Sequence, residues 1–134
     1  MAADSTMHLW VLHTIKNGGY TEEIWIDEFH ELTAHRHLVG RTPTDGLSPD
    51  ILLPYPGVSR RHAFLMSTNG AEWYVEDIGT ANGTYLLHSQ YDPLDLSGSN
   101  FRRIRPKELA KLQVNDHIVF AGTVVTQLTD TPLS

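Results

Sequence analysis

The stretch SRRHAFLM, residues 59–66, sets a serine, two arginines and a histidine in consecutive positions and then continues as an apolar run. That run is short and is followed by a turn signal, TNG at 68–70, so it reads as a β-strand approached through a polar loop. The same form recurs along the chain. HLWVLHT (8–14), EEIWID (22–27), EWYVED (72–77), TYLL (84–87), HIVF (117–120) and TVVTQL (123–128) are short, rich in β-branched or aromatic residues, and bounded by turn residues. NGG at 17–19 and TDG at 44–46 supply further positions able to take positive φ. Short strands at this spacing predict an all-β fold of the sandwich type. One segment departs from the pattern: PKELAKL (106–112) predicts a single helical turn, with proline in a first-turn position and leucines three apart.

With 134 residues, 40% of them hydrophobic, the chain suits one domain with a substantial core. It has no cysteine, which excludes a disulfide framework and thiolate metal ligands and favours an intracellular setting, cytoplasm or nucleus. No segment reaches the roughly 18 apolar residues of a membrane span, and Met1–Thr6 lack the basic and apolar regions of a signal peptide, so no membrane contact is expected. Residues 1–7 and 129–134 are expected to be flexible ends around a domain at 8–128. The formal net charge of −6 argues against general nucleic-acid binding, which rests on many phosphate contacts from lysine and arginine. The basic residues must therefore act locally. Arg41, Arg60 and Arg61 flank loops, whereas the later cluster of Arg102, Arg103, Arg105, Lys107 and Lys111 reads as a solvated face.

Residues 59–62 allow two chemistries. In a hydrolase, Ser59 would be the nucleophile, His62 the base and Asp77 the orienting carboxylate. Side chains three apart at the start of a strand fall on opposite faces, however, and there is no Gly-x-Ser-x-Gly elbow. His35 and His37 share a strand face with His30 nearby, but no further ligand of clear spacing completes a zinc site. The expectation is therefore no enzyme, no cofactor and no metal. The alternative chemistry is anion binding by the arginines. It gains from two long loops: 42–58, which holds four of the seven prolines and separates Arg41 from Ser59, and 88–101, a polar insertion between strands.

Three motifs then stand in order: LVGR (38–41), SRRH (59–62) and DIGTANGTY (77–85). Together with LQVNDHIVFAG (112–122), this combination resembles the forkhead-associated (FHA) domain over roughly residues 8–128. The resemblance implies a β-sandwich of about eleven strands whose loops at one end read phosphothreonine in a partner protein, the product of a Ser/Thr kinase. It makes Arg41 the primary phosphate anchor, since a guanidinium can offer a planar fork of donors to the phosphate oxygens. It assigns Ser59 a hydroxyl donor, Arg60 a second contact, and Asn82 the backbone of an extended peptide, whose donor and acceptor its amide can satisfy together. Gly40, His62 and Gly83 match positions that support the loops, and Arg61 is expected to face solvent. One departure stands out. Many members have Ser-Thr-Asn-Gly where this chain has Thr80-Ala81-Asn82-Gly83. Thr80, which matches the serine, and Ala81 are placed among the phosphopeptide contacts, but Ala81 can offer only its N–H, so the phosphate site is expected to be weaker or differently distributed. Two other readings stay open: an ordinary hairpin turn at Asn82-Gly83, and an FHA-like scaffold that binds its partner independently of phosphorylation.

Overall fold

A computed structural model describes residues 7–17, 20–32, 36–41, 49–67, 72–91 and 100–129, with the backbone alone described over 12–17 and 20–31. The described residues form eleven strands and no helix: β1 (Met7–Asn17), β2 (Tyr20–Leu32), β3 (His37–Gly40), β4 (Ile51–Leu52), β5 (Ala63–Met66), β6 (Trp73–Asp77), β7 (Thr84–Leu87), β8 (Arg102–Arg103), β9 (Ala110–Leu112), β10 (His117–Phe120) and β11 (Val124–Thr129). Six of them make one sheet in the order β2-β1-β11-β10-β7-β8, and five make the other in the order β4-β3-β5-β6-β9. The all-β sandwich expected from the sequence is what forms. β3 and β4 pair in parallel, with Val39 opposite Ile51 and Gly40 opposite Leu52. Buried Met7 belongs to β1 and buried Thr129 to β11.

Alternation builds the core. β5 and β6 bury every second residue, placing Ala63, Leu65, Trp73 and Val75 inward. They meet Leu9, Val11, Ile118, Phe120 and Leu128 from the other sheet. β10 is buried at all four positions, which alternation against one core does not explain. A second small cluster accounts for Val119: Trp10, Val119 and Val125 pack with Tyr85 and Phe101. Phe101 stacks on Tyr85 with ring centroids 4.5 Å apart and planes 5° apart, so the end of the 88–101 insertion belongs to this second cluster.

The helical turn expected at 106–112 does not form. Asp77 forms a parallel bridge with Pro106 and accepts the Lys107 N–H at 2.9 Å, and Lys107 takes a φ of 67°, outside the right-handed helical region. The chain then enters β9, where Ala110 and Leu112 are buried and Lys111 is exposed. Leu109 is 57% exposed, so the two leucines share no apolar face. Helix propensity yields here to an open position beside β6.

The β7–β10 ladder orients the molecule. Thr84 lies opposite Phe120 at one end, and Leu87 lies opposite His117 at the other, about 10 Å away along the strand. The 88–101 insertion leaves from the second end. Phe120 is fully buried and presents its face or edge to the His62 ring at 5.7 Å and 81°, coupling the core to the loops at the first end. Phe120→Ala is expected to lower the unfolding free energy by about 3–5 kcal/mol, measured by urea denaturation.

Candidate functional site

Three chain segments meet at the Thr84–Phe120 end. β3 finishes at Gly40, whose carbonyl accepts the Leu53 N–H at 2.8 Å, while the Arg41 N–H donates to the Ser59 carbonyl at 3.0 Å. Gly40 lies hard against the Arg60 carbonyl, and a Cβ at position 40 would overlap that oxygen. Close approach, and not a turn, requires glycine here. Before Ser59, Tyr55-Pro56-Gly57-Val58 closes a type II turn: Val58 N–H donates to Tyr55 O at 3.2 Å, and Gly57 has φ 89°. The Asn82 side chain donates from Nδ2 to the Gly57 carbonyl at 2.9 Å, tying this turn to the third segment.

His62 stands behind all three. Its Nδ1 accepts the Ser59 backbone N–H at 3.0 Å, so the proton of the neutral ring is on Nε2, which donates to the Gly83 carbonyl at 2.8 Å. The side chain is fully buried. Burial holds its pKa below the ordinary 6.5, against the opposing influence of the Gly83 carbonyl and the Asp77 charge. The Gly83 carbonyl also accepts the Ala121 N–H at 2.8 Å, which brings the β10–β11 turn into the same arrangement.

Asp77 shapes the third segment from within. One carboxylate oxygen accepts the N–H groups of Gly79 and Thr80 at 2.6 and 2.8 Å, and the other accepts the hydroxyls of Thr80 and Thr84 at 2.9 and 2.7 Å. Burial alone would raise the Asp77 pKa, but these bonds outweigh it and leave the group below its ordinary 3.8. Thr80 Oγ1 in turn accepts the Gly83 N–H at 3.1 Å. The Thr80 hydroxyl, counted with the ligand contacts in the sequence, is thus used inside the loop. Asp77 was legible there only as a member of a triad, although Asp followed by Gly and Thr is a recognisable side-chain-capped turn.

Among the described residues a set of donors is left without partners. Arg41 is half-buried, and its Nε is buried without a hydrogen-bond partner among the described residues. The Ser59 hydroxyl and the N–H groups of Ala81 and Asn82 likewise have none among those residues. Arg60 and Arg61 are exposed. The basic cluster is solvated in part as expected: Arg102 meets Glu108 at 3.2 Å and Lys111 meets Glu72 at 3.4 Å. Arg103 departs from that reading, because it folds back and donates from Nη2 to the carbonyls of Thr80 and Ala81 at 3.2 and 3.1 Å. Nothing in the local sequence signals this contact.

The hydrolase arrangement is not formed. His62 faces the Ser59 backbone and not its hydroxyl, both ring nitrogens are engaged, and Asp77 is occupied by its own loop. Of the histidines weighed for zinc, His35 and the side chain of His30 lie outside the described residues, and His37 stacks on Trp73 at 6.1 Å. Among the described residues, no group of three or more His, Cys, Asp or Glu is placed to hold a metal ion. No helix among them is long and apolar enough to cross a membrane.

The FHA domain family model matches residues 37–121, and the chain belongs to the FHA domain family. A stretch of 28 residues is 68% identical to the FHA domain-containing protein FhaB of Mycobacterium tuberculosis, covering 21% of this chain and 17% of that protein. The FHA domain of the CT664 protein from Chlamydia trachomatis superposes with a TM-score of 0.60 at 22% identity, over 96% of this chain and all of that one. EmbR of Mycobacterium tuberculosis, solved with a low-affinity phosphopeptide, superposes with a TM-score of 0.59 at 23% identity, over 94% of this chain and 25% of that one. At these identities the structural likeness establishes the fold.

The two shifted groups predict how stability depends on pH. The unfolded His62 takes up a proton near 6.5 that the folded ring resists, so its contribution is complete above that pH and declines as pH falls below it. The Asp77 contribution is complete above 3.8 and is lost as pH falls through its lower folded value. Urea unfolding between pH 8 and 5 should show His62→Gln destabilised by about 1–3 kcal/mol at the upper end. It should also show a smaller decline with acidification than the parent; an unchanged slope would refute the buried neutral ring.

Proposed function

We propose that this FHA domain is a phosphothreonine-dependent interaction module that binds an extended phosphorylated segment of a partner protein. The observation that carries the reading is Arg41: a half-buried arginine whose Nε has no hydrogen-bond partner among the described residues, beside a free serine hydroxyl and a backbone fixed by three hydrogen bonds. A phosphothreonine brings about −1.5 to −2 charges and three acceptor oxygens, which match such a set of donors. Arg41 and Ser59 take the phosphate, with Arg60 and the Ala81 N–H as further donors. Asn82 retains a carbonyl oxygen to accept a peptide N–H, while its Nδ2 is anchored to Gly57. Thr80 serves the site through its loop.

In this reading the chain acts as a binding module and not as an enzyme, and its ligand is made by a Ser/Thr kinase in an intracellular compartment. The engaged ring of His62 and the absence of cysteine support these two parts respectively. A competing reading, a scaffold that engages its partner without regard to phosphate, is separated from it by experiment.

The best peptide from an oriented phosphothreonine library is expected to bind in the micromolar range, about −8 kcal/mol. In titration calorimetry Arg41→Ala should lose about 2–5 kcal/mol, Arg41→Lys should recover only part because the fork is lost, and Arg61→Ala should bind as the parent does. Parent-like affinity in a folded Arg41→Ala protein would support the phosphate-independent scaffold instead.

A further inference from the structure

Two hydrogen bonds join the Arg103 side chain to backbone carbonyls of the third segment of the site. We infer that Arg103, a β8 residue outside the recognisable motifs, is a positioning residue that fixes the Ala81 and Asn82 N–H groups toward the bound phosphate. The inference rests on the phosphothreonine reading of the same site.

The geometry of the peptide unit makes the case. Arg103 Nη2 grips the Thr80 carbonyl at 3.2 Å and the Ala81 carbonyl at 3.1 Å. Each of those carbonyls shares a planar unit with the next N–H, and no peptide bond among the described residues is cis. In a trans unit the N–H points opposite to the C=O. Holding both carbonyls toward Arg103 therefore turns the N–H groups of Ala81 and Asn82 away from it, and neither has a partner among the described residues. Two successive N–H groups turned to the same side can both donate to one anion.

Arg103 is itself held in place. Its guanidinium carbon lies 5.9 Å from the centroid of the Tyr85 ring, and Tyr85 is stacked on Phe101. Arg103 also lies directly over Gly83, where a Cβ would collide with its Nε. That glycine, with φ 81°, thus leaves room for the arginine as well as making the turn. The second hydrophobic cluster is in this way connected to the loop through Phe101, Tyr85 and Arg103.

The test compares the parent with Arg103→Ala and Arg103→Lys, using the library-selected phosphothreonine peptide, calorimetry and backbone amide NMR. Arg103 is exposed, and retention of the core amide pattern confirms that each variant is folded. In the parent, the Ala81 and Asn82 amide protons should move downfield on binding. In Arg103→Ala, affinity should fall about tenfold, as for one lost hydrogen bond to a charged group, and those two shifts should shrink while the amides of Arg41 and Ser59 still respond. Arg103→Lys, which keeps a cationic donor for the carbonyls, should restore the two shifts and most of the affinity. Unchanged affinity in Arg103→Ala would overturn the inference while leaving the phosphothreonine reading intact. So would a tenfold loss with the Ala81 and Asn82 shifts preserved, which would make Arg103 a direct peptide contact. No binding by the parent would overturn both.

Discussion

The binding end depends on one buried imidazole with a single allowed proton arrangement. His62 accepts from the Ser59 N–H and donates to the Gly83 carbonyl, so two loops separated by about twenty residues are held by one rigid ring. Neither bond survives a change of tautomer, because each nitrogen would then present the wrong group to its partner. Breaking them would strand a buried donor and a buried acceptor, which is costly away from water. Phe120 against the ring carries this constraint into the core of the sandwich.

Around that ring, each loop is finished by its own local device. Gly40 lets β3 approach the Arg60 carbonyl, Gly57 completes the turn that accepts Asn82, and Asp77 gathers four donors from a segment of eight residues. These internal polar groups are consequently satisfied by the protein, while the Arg41 Nε, the Ser59 hydroxyl and two backbone N–H groups have no partner among the described residues and are, in the proposed function, the donors offered to a ligand. A site whose donors are positioned beforehand loses less ordering entropy when the ligand arrives. Such a surface suits a reversible contact that phosphorylation makes and dephosphorylation removes.

Much of this was legible in the sequence because it is local. The strands at 63–66, 73–77, 84–87 and 117–120 show short runs of β-branched and aromatic residues, and Gly40-Arg41, Ser59, His62 and Asn82-Gly83 stand in an order that carries the family resemblance. What was missed is either long-range or opposed by propensity. PKELAKL has the composition of a helical turn, yet pairing with β6 makes part of it a strand. Arg103 sits in a basic run typical of a solvated face, and its contact with Thr80 and Ala81 spans more than twenty residues. The burial of Val119 and Val125 on the outer side of their sheet depends on Tyr85 and Phe101, which no period along β10 or β11 encodes.

The proposed function requires that these donors read a phosphothreonine and not merely an acidic or extended segment. Its most direct test is the affinity of one library-selected peptide prepared with phosphothreonine, phosphoserine, aspartate or unmodified threonine at the same position. Expected are binding to the phosphothreonine form, weaker binding to the phosphoserine form by more than the roughly 0.8 kcal/mol of one buried methyl group, and none detectable to the other two. Equal affinity for the phosphorylated and unmodified peptides would contradict it.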